Sequence, residues 1–284
     1  MAVAGYDINK YSPAKMMALP VAVLLVALAI VGFTWIGTGM PVTAGIDFAG
    51  GTAVTVYTTD DVGTIEAVFS GFPILSVTEG ISGGTFIKFG PMADEEFEEL
   101  NGILSTRYAN AKIDHIGETF GQTLQQQAAI ALIFSFIGMA IVVFIAFRTF
   151  VPSVAVIISA FSDIVIAAAC MNVAGVPLTL GTTAALLMLI GYSVDSDILL
   201  TTRILKRKGK LEDKLTGAFR TGFIMTTTTI SAIAAMLVVS SIGGIEVITQ
   251  ISIVLLFGLI IDLMNTWMLN AGILKLYVER GEGR

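Results

Sequence analysis

The sequence predicts a polytopic α-helical membrane protein with six transmembrane helices and a small α+β domain between the first two. Of its 284 residues, 55% are hydrophobic and only 13% are charged, whereas soluble domains carry about 25% charged residues. Six apolar segments reach the roughly 20 residues that a helix needs to cross a bilayer. The single long stretch of ordinary polarity, residues 41–121, lies between the first and second of these segments.

The first apolar segment, residues 16–37, follows a short polar amino terminus, residues 1–15. It is too long for the core of a typical signal peptide and has no convincing cleavage site, so we expect a retained signal anchor. A basic loop, residues 203–220, separates the fourth and fifth spans, and residues 277–284 form a tail. The other five predicted spans are residues 126–147, 153–174, 178–202, 221–241 and 247–276.

Basic residues predict the orientation, because loops that stay in the cytoplasm are enriched in lysine and arginine. With six spans, thirteen of the sixteen lysine and arginine residues fall on the side of the two termini. The stretch 203–220 alone holds seven of them. We therefore expect cytoplasmic amino and carboxyl termini and an extracytoplasmic domain at residues 41–121.

The polar stretch 41–121 has the pattern of a small domain in the order β-α-β-β-α-β. Alternating apolar residues predict a first strand, and acidic residues predict two helix starts, one capped by Asp60 or Asp61 and the other by Asp94. This element order is typical of the ferredoxin-like fold. Twelve acidic residues against three basic ones exclude a nucleic-acid surface. The predicted strands are residues 52–58, 74–79, 85–89 and 112–116, with the middle two joined by residues 80–84.

Four carboxyl groups lie inside the predicted spans, where a charge costs a few kcal/mol. Asp163 lies near the centre of the third span, Asp195 and Asp197 in the cytoplasmic half of the fourth, and Asp262 near the middle of the sixth. They are candidates for a proton or ion relay, since carboxyl groups within membranes often mark ion pathways. The competing interpretation is that neutral or paired carboxyl groups hold the helices together.

Several classes of site are not predicted. A sole cysteine, Cys170, allows no intrachain disulfide or thiol metal cluster, and one histidine, His115, cannot build a zinc site. Protease signatures such as Gly-x-Ser-x-Gly and His-Glu-x-x-His are missing from the spans. We therefore expect no enzymatic activity, no catalytic residue, no cofactor and no metal.

Two motifs, GIDFAGGT at residues 45–52 and GYSVDSD at residues 191–197, resemble those of the SecD/SecF family of protein-export subunits, which belongs to the resistance–nodulation–division superfamily. The first, GIDFAGGT, directly follows the first span and resembles the GIDFTGGT signature that opens the outer domain of SecF. Members of that superfamily also carry an outer domain between spans one and two. The residues of this motif are Gly45, Asp47, Phe48, Gly50 and Gly51.

The second motif lies in the fourth span and resembles the bacterial SecF pattern GYS-aliphatic-NDT followed by DR. Asp195 stands where that pattern has Asn, Ser196 where it has Asp, and Asp197 where it has Thr. The acid is thus displaced by one position to either side, as in an archaeal version of the family. The matching residues are Gly191, Tyr192, Ser193 and Arg203.

The resemblance implies an accessory subunit of the Sec translocon that promotes translocation and release of exported proteins, coupled to the proton gradient. It implies a location in the cell membrane, with SecD, SecYE-type channel subunits, translocating polypeptides and membrane lipids as partners. Two alternatives remain open at this point. One is a small-molecule or lipid efflux transporter half of the same superfamily, and the other is a passive scaffold that stabilises SecD and the channel.

Overall fold

The computed structural model describes residues 10–79, 84–108 and 110–282. Within them, six helical segments are long and apolar enough to cross a membrane, which confirms the predicted fold class. The sixth is composite, because a π-helical segment joins two α-helices. The segments are α1 (Pro13–Thr38), α5 (Glu118–Phe147), α6 (Phe150–Ala174), α7 (Leu180–Lys206), α8 (Leu211–Gly243), and α9 (Glu246–Met264) continued by the π-helical segment (Asn265–Asn270) and α10 (Ala271–Glu282).

Between α1 and α5 the chain folds into a four-stranded antiparallel sheet with helices packed on it. The strand order is β2-β3-β1-β4, with antiparallel neighbours throughout. This is the arrangement of the ferredoxin-like fold, as the sequence predicted. The elements are α2 (Ile46–Ala49), β1 (Gly51–Tyr57), α3 (Val62–Val68), β2 (Ile74–Glu79), β3 (Gly84–Phe89), α4 (Asp94–Arg107) and β4 (Lys112–Ile116).

The core of this sheet domain follows from the alternation of side chains along the strands. Val54 on β1 lies opposite Ile87 on β3, and both are buried against α3 and α4. Ile65 on α3 and Leu100 on α4 are buried on the inner sides of those two helices. The predicted connection at residues 80–84 lies outside the described residues except for Gly84, which begins β3.

The two predicted helix caps in this domain have different outcomes. Asp61 occupies the position before α3, as expected, but its side chain makes no capping hydrogen bond to the helix backbone. A hydrogen bond from the Thr64 hydroxyl lowers the pKa of the Asp61 carboxyl. The prediction for α4 was wrong, because Ala93 precedes the helix and Asp94 is its first residue. Glu96 takes over the capping role, since its carboxylate accepts a hydrogen bond from the Ala93 N–H at 3.1 Å.

The predicted basic loop, residues 203–220, needs correction because most of it is helical. Helix α7 runs to Lys206 and α8 begins at Leu211, so that only residues 207–210 link the two helices. Two acidic side chains, Glu212 and Asp213, lie in the first turn of α8, where the helix dipole favours negative charge. The apolar residues show which part of a helix can cross the membrane. Here both helices continue beyond that part into polar sequence.

The helices of the membrane region pack around α6, α7 and α9, whose inner faces are closely apposed. Glycines allow two close approaches in this region, one between α7 and α9 and one between α8 and the π-helical segment. A β-carbon at Gly258 on α9 would overlap the side chain of Leu189 on α7, and one at Gly222 on α8 would overlap the ring of Trp267. Small residues at such positions bring helix backbones together in membranes. The polar side chains on the inner faces are therefore held at contact distance.

Candidate functional site

The structure brings three of the four predicted carboxyl groups together in the interior of the helix bundle. Asp163 on α6, Asp197 on α7 and Asp262 on α9 are 0%, 0% and 1% exposed. Asp195 lies on the outward face of α7 instead. The separation follows from helix geometry, because residues two positions apart point about 200° apart.

Asp163 is held by both neighbouring helices. The hydroxyl of Ser193 on α7 donates to its Oδ2, and the amide of Asn265 in the π-helical segment donates to its Oδ1 at 2.7 Å. The same amide also donates to Ser162 Oγ at 3.0 Å. Ser193 of the fourth-span motif thus faces inward and donates a hydrogen bond to a buried carboxyl group.

Asp262 is held by hydroxyl groups. Ser196 Oγ on α7 lies 3.0 and 2.9 Å from its two carboxyl oxygens, and Thr266 donates to it at 3.0 Å from the following turn. Ser196 also lies 3.3 Å from the Thr266 hydroxyl. Asp262 and these two hydroxyl groups therefore form a hydrogen-bond network that joins α7 to the last transmembrane segment.

Asp197 has the fewest partners of the three. Asn270 Nδ2, at the end of the π-helical segment, donates to its Oδ1 at 2.7 Å. Its Oδ2 has no hydrogen-bond partner among the described residues. Ser159 on α6 and Thr266 lie close enough to interact with the same carboxyl group.

Two asparagines of this site were not predicted from the sequence, in which Asp262 was the only candidate from the last span. Asn265 and Asn270 open and close the π-helical segment, where the turn is wider than in an α-helix. Both are fully buried, and each donates to a different carboxyl group. The available signal was the cluster of polar residues from 262 to 270 inside an apolar run.

Among the described residues, no basic side chain forms an ion pair with this carboxyl layer. In the part of the chain that the structure describes, the two ion pairs are Lys88–Glu246 and Arg107–Asp60, both outside the layer. Arg203, the basic residue of the fourth-span motif, donates instead to the Gly217 carbonyl at 2.7 Å and to a threonine hydroxyl on α8. A buried carboxyl group without a cation is accommodated by binding a proton or by hydrogen bonds to its oxygens.

The remaining motif residues of α7 lie on its outer surface. Gly191 and Tyr192 face outward with Asp195, and the Tyr192 side chain is 40% exposed. Met188, one turn earlier, is 42% exposed on the same side. This outward face of α7 therefore combines a carboxyl group, a phenol and apolar surface.

The GIDFAGGT motif forms the joint between the sheet domain and the membrane helices. The carboxylate of Asp47 accepts a hydrogen bond from the Leu180 N–H at 2.8 Å, at the start of α7. The Gly45 N–H donates to the Leu178 carbonyl at 2.8 Å, and Phe48 is buried at 2% exposure. Gly51 has a φ of 145° and would bring a β-carbon within 2.5 Å of the Phe89 carbonyl, so a side chain does not fit there.

His115 and Cys170 have no part in this layer. The Nδ1 of His115 lies 2.8 Å from the Thr52 hydroxyl, and its ring stacks on Phe97. Cys170 is a free, half-buried thiol on α6. Among the described residues, no group of three or more His, Cys, Asp or Glu side chains is arranged to hold a metal.

Comparison with known proteins gives consistent matches over the chain. Residues 97–280 match the family described as "Protein export membrane protein SecD/SecF, C-terminal". The protein-export membrane protein SecF of Methanolacinia petrolearia is 56% identical over 97% of this chain and 98% of its own. Those of Haloferax volcanii and Pyrococcus furiosus are 42% and 40% identical, over 99% and 96% of this chain and 98% and 93% of theirs.

A solved structure has the same fold. The crystal structure of SecDF, a translocon-associated membrane protein from Thermus thermophilus, superposes with a TM-score of 0.73 at 21% identity. The match covers 99% of this chain and 40% of that one, so the present chain spans less than half of the SecDF polypeptide. The likeness therefore concerns the fold of one part of that protein.

Proposed function

Because this chain belongs to the SecD/SecF family of protein-export membrane proteins, we propose that it is a SecF-type accessory subunit of the Sec translocon. With a SecD-type partner it promotes translocation and release of exported proteins, using an ion gradient, most simply that of protons. The observation that carries the coupling is the buried layer of Asp163, Asp197 and Asp262, which has no basic partner among the described residues. Carboxyl groups of this kind mark proton pathways in membrane proteins.

The orientation in this proposal places both termini in the cytoplasm and the sheet domain outside. The distribution of lysine and arginine supports it, since the basic link between α7 and α8 and the end of α10 fall on one side. The channel subunits and the translocating polypeptide then meet the sheet domain outside the membrane. A proton crossing 100 mV releases about 2.3 kcal/mol, enough to bias a movement between two conformations.

The SecD-type partner is proposed to cover the outward face of α7. Asp195 on that face would otherwise meet lipid, where a charge costs a few kcal/mol. A partner helix that supplies a basic or hydrogen-bonding side chain removes this cost. Asp195→Leu should therefore reduce co-purification with the partner. Met188→Leu should not, because it exchanges two apolar side chains of similar volume on the same face of α7. Equal recovery of the partner with both variants would contradict this assignment.

Gradient-dependent export tests the coupling itself. Membrane vesicles that contain the chain, its SecD-type partner and the channel would be assayed for export with and without a proton gradient. Asp197→Asn should abolish the stimulation by the gradient and leave the basal rate unchanged. Asp213→Asn is the matched control, because it removes an exposed carboxyl group at the start of α8. Full stimulation in Asp197→Asn vesicles would refute the proton role and favour a passive scaffold.

A further inference from the structure

The contact between Asp197 and Asn270 has an unusual imbalance of hydrogen-bonding groups. Asn270 Nδ2 donates to Asp197 Oδ1 at 2.7 Å, and both side chains are fully buried. Among the described residues, the other oxygen of each group, Asp197 Oδ2 and Asn270 Oδ1, has no partner. Two neighbouring side chains thus share one hydrogen bond and leave one acceptor each, and the hydroxyl groups near the same carboxyl group are those of Ser159 and Thr266.

These two acceptors cannot satisfy each other while the carboxyl group is ionised, since a carboxylate oxygen and an amide oxygen both only accept. One proton on Asp197 Oδ2 changes this, because a protonated carboxyl group has one O–H donor. An amide has both donor and acceptor atoms, so Asn270, which already donates through its Nδ2, can also accept a hydrogen bond from that O–H through its oxygen. We propose that Asp197 and Asn270 form an acid–amide pair that holds one exchangeable proton, with Asn270 as its positioning residue.

The surroundings of Asp197 favour a proton over an ion pair. The titratable groups that face it from the packed helices are Asp163 on α6 and Asp262 on α9, both acidic. The sequences of α5 and α8 hold no charged residue from 119 to 147 and from 221 to 243. On α10, Lys275 donates to the backbone carbonyl of Tyr11, just before α1, and Arg203 on α7 itself contacts α8.

The π-helical segment explains how one stretch of chain reaches two carboxyl groups. Its first residue, Asn265, donates to Asp163 on α6, and its last, Asn270, donates to Asp197 on α7. Segments of this kind occur often at functional sites. The pair deepens the proposed function and relies on it for a role in export, but proton binding by the pair can be measured without export.

Infrared spectroscopy of the full chain in lipid nanodiscs, with isotope-labelled aspartate, measures the proton directly. A protonated aspartic acid has a carbonyl band that disappears on ionisation and shifts in heavy water. We expect Asp197→Asn to remove one such titrating band, and Asn270→Leu to shift its midpoint by about one pH unit, equivalent to about 1.4 kcal/mol. Asp213→Asn should leave the band unchanged. The exchange variant, Asp197→Asn with Asn270→Asp, should recover a titrating band, because acid and amide have changed places.

Three results would overturn the pair: an unchanged set of bands in Asp197→Asn, an unchanged midpoint in Asn270→Leu, or no titrating band in the exchange variant. A band that responds to sodium ions but not to pH would also overturn it. The exchange variant keeps the side-chain volumes, so it decides the matter if Asn270→Leu does not fold. If the bands behave as expected while Asp197→Asn retains gradient-stimulated export, the pair stands and the proposed coupling fails.

Discussion

Replacing Gly258 by alanine should separate α7 from α9 one helical turn away from the buried carboxyl layer. A β-carbon at Gly258 would lie 2.9 Å from Leu189 Cγ and closer still to both of its methyl groups. Favourable contacts between carbon atoms need about 3.5–4.0 Å. Because Leu189 is fully buried, its side chain has no free space into which to turn. The methyl groups fall short of that distance by about 1 Å, so the two helices must move apart by roughly this amount.

The expected cost follows from two opposing contributions. Overpacking of a filled interior costs about 1–3 kcal/mol, whereas alanine is favoured over glycine within a helix by about 1 kcal/mol. Gly138→Ala on α5 is the matched control, since its β-carbon would meet no atom within 4 Å. The difference in stability between the two variants then isolates the crowding, and should be about 1–3 kcal/mol.

A thiol-reactive fluorogenic dye can follow unfolding, because Cys170 is the sole cysteine of the chain and is half-buried on α6. Gly258→Ala should expose this thiol at a lower temperature than Gly138→Ala does. Gly258 precedes Asp262 by one helical turn, so the variant should also weaken the contact of Ser196 with Asp262. Equal unfolding temperatures for the two variants would show that α7 and α9 are not in close contact at Leu189.

Three further outcomes can be checked on the full chain. Arg203→Lys should lower the unfolding temperature, since lysine cannot reproduce the two hydrogen bonds to α8, and the cost should be about 1 kcal/mol. Exchanging the charges of Lys88 and Glu246 should retain the link between β3 and α9, whereas either reversal alone should increase proteolysis of the sheet domain at low salt. The hydrogen bond from Thr64 lowers the pKa of the Asp61 carboxyl. The ionised carboxylate therefore stabilises the fold at pH values above the ordinary aspartate range, and this contribution is lost as the pH falls below that range. Asp61→Asn should remove this part of the pH dependence of acid unfolding.

The sequence predicted the fold well because the relevant signals are local. Apolar length identifies a transmembrane helix, and alternation with acidic helix starts identifies the sheet domain. The errors concern positions where short-range interactions decide the boundary, as at Ala93 and Glu96, or where helices extend beyond the apolar region, as at Leu211.

The candidate site was only partly predictable, because the direction of a side chain depends on which helices surround it. Helical geometry alone shows that Asp195 and Asp197 point to opposite sides, but not which of them faces inward. The packing of α6 and α9 against one face of α7 decides that Asp197 is buried. Asn270 was missed for another reason, since an α-helical periodicity does not include the wider turn that directs it to α7.

The two family motifs are connected through α7, which gives the sheet domain a direct mechanical contact with the carboxyl layer. Asp47 in the first motif binds the backbone of Leu180, the first residue of α7, and Asp197 lies about 25 Å further along the same helix. The helix is held at its start by Thr179, whose hydroxyl accepts from the Thr182 N–H. Any displacement of the sheet domain relative to the membrane must therefore break the Asp47 contact or carry α7 with it. Since Ser193 and Asp197 are fixed to α7 while their partners belong to α6 and the last segment, moving α7 would rearrange the hydrogen bonds of the carboxyl layer.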